Sequence, residues 1–209
     1  MTASQSQTPR RRALTIAAAL GFAALLAPAY SGCSTPAPVI PEGAWSVSFI
    51  QPDAINCQIA SHNQAIGEIT ADTRTKLVAD GANLVEGDDN TAVTVNCSVI
   101  DNGGTFAFDA SESSSGSFLS LSVPELSPKA TKDSPSKGVV IYQSMQTANS
   151  FSQSDCDFYF LPKTGQGVSE GQVFLTFACP KIGAAADNVC VIDPGYAAFE
   201  KCEIIAPEG

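Results

Sequence analysis

The stretch that decides the fold class is residues 91–100, which read TAVTVNCSVI. Apolar side chains occupy every second position of this stretch, namely Val93, Val95, Cys97 and Val99. Because successive side chains of a β-strand point to opposite faces, the alternation predicts a strand with one buried face and one polar face. Such a strand needs others beside it, and the rest of the chain is expected to supply them.

Similar short runs recur after residue 43, separated by Asn, Asp, Gly and Pro residues that favour turns. The predicted strands are residues 45–49, 55–59, 75–79, 83–85, 91–100, 105–108, 118–123, 139–143, 158–161, 173–179 and 197–202. Asp80-Gly81 is expected to form the turn of a hairpin. Residues 109–117 and 124–137 are expected to be loops.

No convincing helix is predicted beyond residue 33, and the alternation favours antiparallel sheets with one dry face each. A single open sheet of this size would leave an apolar face in water. Two sheets packed face to face bury that surface, so the sequence predicts an all-β, antiparallel β-sandwich of jelly-roll or Greek-key type. A closed barrel is the alternative.

The charge balance is strongly acidic, with 21 Asp and Glu against 11 Lys and Arg in 209 residues. Three of the bases lie at residues 10–12, so the chain from residue 33 onward carries 21 acids and 8 bases, a formal charge of −13. Nucleic acid is therefore not an expected partner, because phosphate binding requires clustered Lys and Arg. A single histidine, His62, disfavours histidine-based catalysis and multi-histidine metal sites, and no cofactor is expected.

The N-terminus has the pattern of a secretory signal: three arginines at residues 10–12, then an uncharged run rich in Ala and Leu at residues 13–27. Fifteen residues of helix are too short to span a hydrocarbon core, which takes about 20. Residues 30–33 (YSGC) follow, and they resemble the bacterial lipobox. This resemblance implies cleavage before Cys33 and diacylation of its thiol. The alternative is a plain signal peptide with Cys33 as an ordinary thiol.

The lipobox resemblance implies a lipoprotein signal peptide at residues 1–32 and lipid on Cys33. The Pro-rich composition that follows predicts a tether at 33–43, and the strand pattern predicts the β-sandwich at 44–205. Acyl chains such as palmitate on Cys33 would attach the domain to a membrane stably. Ser34 follows the cysteine in place of the Asp that favours inner-membrane retention, so the resemblance implies the outer membrane of a diderm cell envelope.

Six cysteines remain after Cys33, and an even number in an exported chain predicts three disulfides. These are Cys57, Cys97, Cys156, Cys179, Cys190 and Cys202. Their wide spacing disfavours zinc. Fifteen pairings are possible. Proximity along the chain suggests pairing each cysteine with its neighbour, as Cys57–Cys97, Cys156–Cys179 and Cys190–Cys202.

An acidic turn offers a weak candidate calcium site, because four residues there carry oxygen ligands close together. They are Glu86, Asp88, Asp89 and Asn90. Turns require the same residue types without any metal, so a solvated turn is the preferred interpretation and no metal is assigned.

Catalytic signals are poor. Residues 167–171 (GVSEG) match the G-x-S-x-G pattern of hydrolases, but a strand rather than a helix is predicted after the serine. His62 is expected in a loop, exposed to solvent. Trp45 lies in an alternating strand and is expected in the core rather than on a sugar-binding surface.

Stretches of the C-terminal half resemble uncharacterised lipoproteins of myxobacterial type, over about residues 90–205, and this resemblance implies no catalytic residues. The runs that carry it are residues 137–142, 156–160, 171–179 and 190–202. We therefore expect a non-enzymatic binding or structural domain, anchored by lipid, with an envelope protein or glycan as partner. The alternatives are a carbohydrate- or peptidoglycan-binding module, with or without calcium, and a glycan-cleaving enzyme that uses two carboxylates.

Overall fold

The structure is a computed structural model, and it describes residues 38–53, 56–85, 88–185 and 188–204. The strands in these ranges are β1 (Glu42–Ile50), β2 (His62–Ile66), β3 (Glu68–Ile69), β4 (Arg74–Lys76), β5 (Val78–Ala79), β6 (Thr94–Asp101), β7 (Phe106–Ser114), β8 (Ser117–Leu126), β9 (Ser136–Gln143), β10 (Phe151–Tyr159), β11 (Gly167–Ser169), β12 (Gln172–Ala185) and β13 (Asn188–Glu200). A short 3₁₀ helix covers Asp89–Thr91. The predicted signal peptide at 1–32 and Cys33 lie outside the described residues. Among the residues described, no helix combines the length and apolarity needed to cross a membrane.

Eleven strands form one antiparallel sheet whose main path runs β2-β1-β13-β12-β10-β9-β8-β7-β6, with β5 beside β1 and β11 beside β12. The strands β3 and β4 form a separate pair. From β6 to β10 each strand pairs with the next in sequence, and β1 pairs with β13, from the other end of the domain. The all-β, antiparallel, disulfide-bonded fold is confirmed. The strand order is a meander from β6 to β13, with β1 and β2 added beside β13, and it differs from the predicted Greek-key or jelly-roll order.

The sheet curls so that its inward face becomes the core. In the strand order β7 lies five strands from β13, which corresponds to about 24 Å in a flat sheet. The rings of Phe108 on β7 and Phe199 on β13 are nevertheless only 6.1 Å apart between centroids. The two halves of one sheet therefore bury the apolar surface that two separate sheets were expected to bury.

Several local predictions were wrong. Residues 109–117 are strand almost throughout, because Ser115 (φ 47°) and Gly116 (φ 79°) alone make the turn between β7 and β8. The expected strand at 55–59 is not found at residues 56–59, which are irregular. The Asp80-Gly81 turn does not join two paired strands, because β5 pairs with β1 instead. The first strand begins at residue 42, two residues before the expected start of the β-domain at residue 44.

Three disulfides connect the six domain cysteines, but only one predicted pairing is confirmed. Cys156–Cys179 joins β10 to β12, where the predicted hairpin brings the two residues together. The other two bonds are Cys57–Cys190 and Cys97–Cys202, so the pairings Cys57–Cys97 and Cys190–Cys202 were wrong. Both long-range bonds follow from the curl and from the β1–β13 pairing, which place sequence-distant segments side by side.

Candidate functional site

An open cleft of about 850 Å³ lies against the outward face of β6, β7 and β8. Residues 170–172 and 200–204 line it from the other side, together with Val39 and Pro41 from the start of the described chain. Its volume falls within the range of ligand-binding pockets in proteins. This cleft was not predicted, because its walls come from segments far apart in sequence.

The floor of the cleft is a regular array of short polar side chains. Strand alternation points the apolar residues of β6–β8 inward and these polar residues outward. Antiparallel pairing then aligns them in two rows across the three strands. The rows are Asn96–Ser111–Ser120 and Ser98–Asp109–Ser122. Neighbouring strands are about 4.8 Å apart, so each row presents three hydrogen-bonding groups at near-regular spacing.

The wall of the cleft is fixed to the edge of β6. The Val99 amide donates to the Glu203 carbonyl at 3.2 Å, and the Glu203 amide donates to the Cys97 carbonyl at 2.9 Å. The Gly171 amide donates to the Val99 carbonyl at 3.3 Å. The Cys97–Cys202 disulfide adds a covalent link between the wall and the strand β6 that carries part of the floor. The cleft is therefore preformed by backbone bonds and does not depend on side-chain packing alone.

The charge of the cleft is negative. Lys201 is the basic residue among its lining, and its ammonium is paired with Glu42 at 2.6 Å, outside the lining. Glu200 is paired with Arg74 at 2.9 Å. The exposed carboxylates of Asp109, Glu170 and Glu203 form no ion pair among the described residues. Three uncompensated negative charges therefore face the cleft.

The rim is aliphatic. Val39 is 71% exposed and Ile204 is 58% exposed, and both line the cleft. Among the described residues no aromatic side chain lines it. Trp45 is fully buried, packed edge-on against Tyr142 at 6.1 Å, so the expectation of a core role is confirmed. The cleft therefore lacks the stacking surface that sugar rings commonly use.

A second polar cluster surrounds His62, which opens β2 and is half-buried, so the prediction of a solvated loop histidine was wrong. Its Nδ1 lies 2.9 Å from the Ala60 carbonyl oxygen, which can only accept, so Nδ1 carries the proton of the neutral ring. Its Nε2 lies 3.0 Å from the hydroxyl oxygens of both Tyr142 and Ser144, and its single lone pair accepts from one of the two at a time. Burial raises the pKa of Tyr142 to about 12, although its hydrogen bond with Ser144 lowers it.

The distance between Ser144 Oγ and His62 Nε2 is that of a catalytic nucleophile and its general base. However, Ser144 is only 1% exposed, and its backbone amide and carbonyl are both bonded to the Thr147 hydroxyl. A buried serine cannot meet a substrate, so we interpret the cluster as a structural connection between β2 and the end of β9.

The G-x-S-x-G match has the geometry of a hairpin. Ser169 ends β11, and its hydroxyl accepts from Gln172 Nε2 at 2.8 Å. The strand β12 follows in place of the helix that a nucleophile elbow requires. Ser169 is therefore a turn residue here.

Three of the four candidate calcium residues take part in hydrogen bonds within the turn itself. One Asp88 carboxylate oxygen accepts from both the backbone and side-chain nitrogens of Asn90, at 3.0 and 3.1 Å. An Asp89 carboxylate oxygen accepts from Asn83 at 3.2 Å, and Glu86 lies outside the described residues. In the part of the chain that is described, no three His, Cys, Asp or Glu residues are grouped to hold a metal.

A buried carboxyl group, Glu112 on β7, was missed because residues 109–117 were assigned to a loop. Its side chain is fully buried, and neither carboxyl oxygen has a hydrogen-bond partner among the described residues. Burial raises its pKa from 4.5 to about 8. A Cβ at Gly43 on β1 would lie 2.8 Å from one of its oxygens, so a larger residue there would force the Glu112 side chain to shift. Continuing the alternation from Phe108 would have placed Glu112 on the inward face.

Comparison of the chain with protein-family models, with curated proteins and with solved structures finds no match.

Proposed function

We propose that this protein is a lipid-anchored cell-envelope protein whose β-domain binds a partner, without catalysis, in the cleft on the outward face of β6–β8. The observation that carries this proposal is the cleft itself, with its aligned polar floor, its uncompensated carboxylates and its exposed aliphatic rim. A domain that served only as a spacer would have no need of such a surface.

The lipobox resemblance supplies the anchor in this proposal. Acylation of Cys33 would attach the chain to a membrane, which Ser34 suggests is the outer membrane. Only five residues lie between Cys33 and Val39 on the rim, and the six steps along the chain from one to the other reach about 20 Å at most when fully extended. The cleft would then open close to the membrane surface, where it would meet other envelope components.

A glycan-binding function ranks second. The hydroxyl and amide groups of the floor can form hydrogen bonds with a sugar, but the lining has no aromatic side chain for a ring to stack on. A glycan-cleaving enzyme ranks third, because its general acid needs a raised pKa and contact with substrate. Glu112 has the raised pKa, but it faces the core on the opposite side of β7 from the cleft.

Metabolic labelling with an alkyne-bearing palmitate, followed by membrane fractionation, tests the anchor. We expect label on the wild-type chain and its recovery with membranes, whereas Cys33→Ser should be unlabelled and released. Equal membrane recovery of the two proteins without label would contradict the anchor.

A photo-crosslinking residue placed at Ser120, on the cleft floor, tests binding in cells. A matched probe at Glu125 lies on the same strand, exposed but outside the cleft lining. We expect a discrete adduct from position 120 that is absent from position 125. The same adducts from both positions, or none from position 120, would contradict binding in the cleft.

A further inference from the structure

We propose that the partner in the cleft is an extended basic segment of another envelope protein, with Lys or Arg side chains held over the cleft and its backbone laid on the polar floor. This inference rests on the proposed binding function and specifies the chemistry of its ligand.

Charge complementarity is the first reason. Asp109, Glu170 and Glu203 have no ion-pair partner among the described residues, and the nearby bases Lys201 and Arg74 are already paired. The chain from residue 33 carries a formal charge of −13, so the field around the domain attracts basic partners. The same field repels a second copy of this chain, anionic lipid headgroups and nucleic acid.

The aliphatic rim is the second reason. Lys and Arg side chains combine a long apolar stem with a charged end, and they bury the stem while the charge stays in a polar setting. Val39 and Ile204 provide an aliphatic surface beside the carboxylates of the cleft. A small inorganic cation would leave this apolar surface unused.

The polar floor is the third reason. An extended peptide exposes backbone N–H and C=O groups that must find partners when it is removed from water. The rows Asn96–Ser111–Ser120 and Ser98–Asp109–Ser122 supply both donors and acceptors. Serine hydroxyls can rotate to serve as either, so the floor suits a backbone better than one fixed polar headgroup.

The experiment measures binding of a fluorescent seven-residue peptide of alternating Lys and Ser to the full mature chain in neutral detergent, by fluorescence anisotropy. The matched peptide alternates Glu and Ser. We expect the basic peptide to bind, its affinity to fall as salt rises, and the acidic peptide not to bind. Binding of neither peptide would overturn the inference.

Two charge-matched triple variants separate the cleft from the general acidity of the domain. Asp109→Asn/Glu170→Gln/Glu203→Gln removes the three cleft carboxylates that have no ion-pair partner among the described residues and should weaken binding at least tenfold. Glu68→Gln/Glu125→Gln/Asp133→Asn removes three exposed charges outside the cleft lining and should change affinity less than twofold. Equal losses in the two variants would overturn the inference, because the peptide would then be held by net charge alone.

The failure of this inference is distinguishable from failure of the proposed function. A chitosan oligomer, which is cationic but not a peptide, serves as the competing probe. One outcome is that chitosan binds the wild type but not the cleft triple variant, while the basic peptide binds neither. The cleft would then be a binding site, but its ligand would not be a basic peptide. If the Ser120 crosslink is also absent in cells, the binding function itself is wrong.

Discussion

Two carboxyl groups on β7 lie three residues apart and have opposite surroundings. Asp109 points outward, exposed, into the cleft, in a row with Ser98 and Ser122. Glu112 points inward, fully buried, against Gly43 of the opposite half of the sheet. The difference follows from strand alternation alone, so the same strands can present a binding surface on one side and determine stability on the other.

This contrast assigns different consequences to the same chemical change. Removing a carboxylate from the outward face should alter binding while leaving the folding free energy nearly unchanged. Removing one from the inward face should do the reverse.

The largest expected effect comes from Cys97→Ala/Cys202→Ala, which removes the disulfide between an inward-facing residue of β6 and the cleft wall. Because this disulfide joins the core side of the sheet to the binding surface, its loss should lower both stability and affinity. Its 105-residue separation predicts a loss of about 4 to 5 kcal/mol in unfolding free energy from chain entropy. The loss should be accompanied by weaker peptide binding. Urea unfolding and anisotropy measure the two quantities.

The control for this experiment is Cys156→Ala/Cys179→Ala, whose separation is 23 residues and which lies outside the cleft lining. It should lose about 3 kcal/mol and retain its affinity for the basic peptide. Equal loss of affinity in both double variants would show that binding depends on general stability, which contradicts the role of the wall.

The second effect is a pH dependence from Glu112. Its pKa in the folded protein is about 8, above its ordinary value of 4.5. Between these values the folded protein holds the proton more tightly than the unfolded chain does, so this contribution to stability is complete below pH 4.5 and is lost as the pH rises through 8. At pH 7 the loss is on the order of 3 kcal/mol.

Glu112→Gln removes the titrating group and retains the shape of the side chain. Unfolding by urea from pH 4 to pH 9 should show the variant gaining stability relative to the wild type as the pH rises. Parallel curves for the two proteins would mean that the carboxyl group is not buried as described.

The smallest effect on stability is expected on the outward face. Ser120→Ala removes one hydroxyl from the cleft floor without touching the core, so the unfolding free energy should change by less than about 0.5 kcal/mol. Affinity for the basic peptide should fall a few-fold. A stability loss above 1 kcal/mol with unchanged affinity would place Ser120 in the structure of the domain rather than in its binding surface.

Much of the inward face was predictable from the sequence. Val95, Cys97 and Val99 are buried on β6 as their alternation predicted, and the Cys156–Cys179 bond follows from a local hairpin. Local periodicity carries this information because it depends only on which way successive side chains point.

The curl of the sheet was not predictable in the same way. The pairing of β1 with β13 joins the two ends of the domain, and no local pattern encodes it. The pairings Cys57–Cys190 and Cys97–Cys202 depend on that long-range closure, and so does the cleft. The burial of Glu112, in contrast, could have been predicted from local alternation. The many serines around it made this segment look like a loop instead of a strand.

The most direct test of the division between the two faces is a pair of measurements on Asp109→Asn and Glu112→Gln, each of which removes one carboxyl group from β7. The prediction is that Asp109→Asn weakens basic-peptide binding severalfold and unfolds like the wild type. Glu112→Gln should bind like the wild type and be more stable at pH 7. If both variants changed the same property, or if their effects were exchanged, the assignment of binding to the outward face and stability to the inward face would be contradicted.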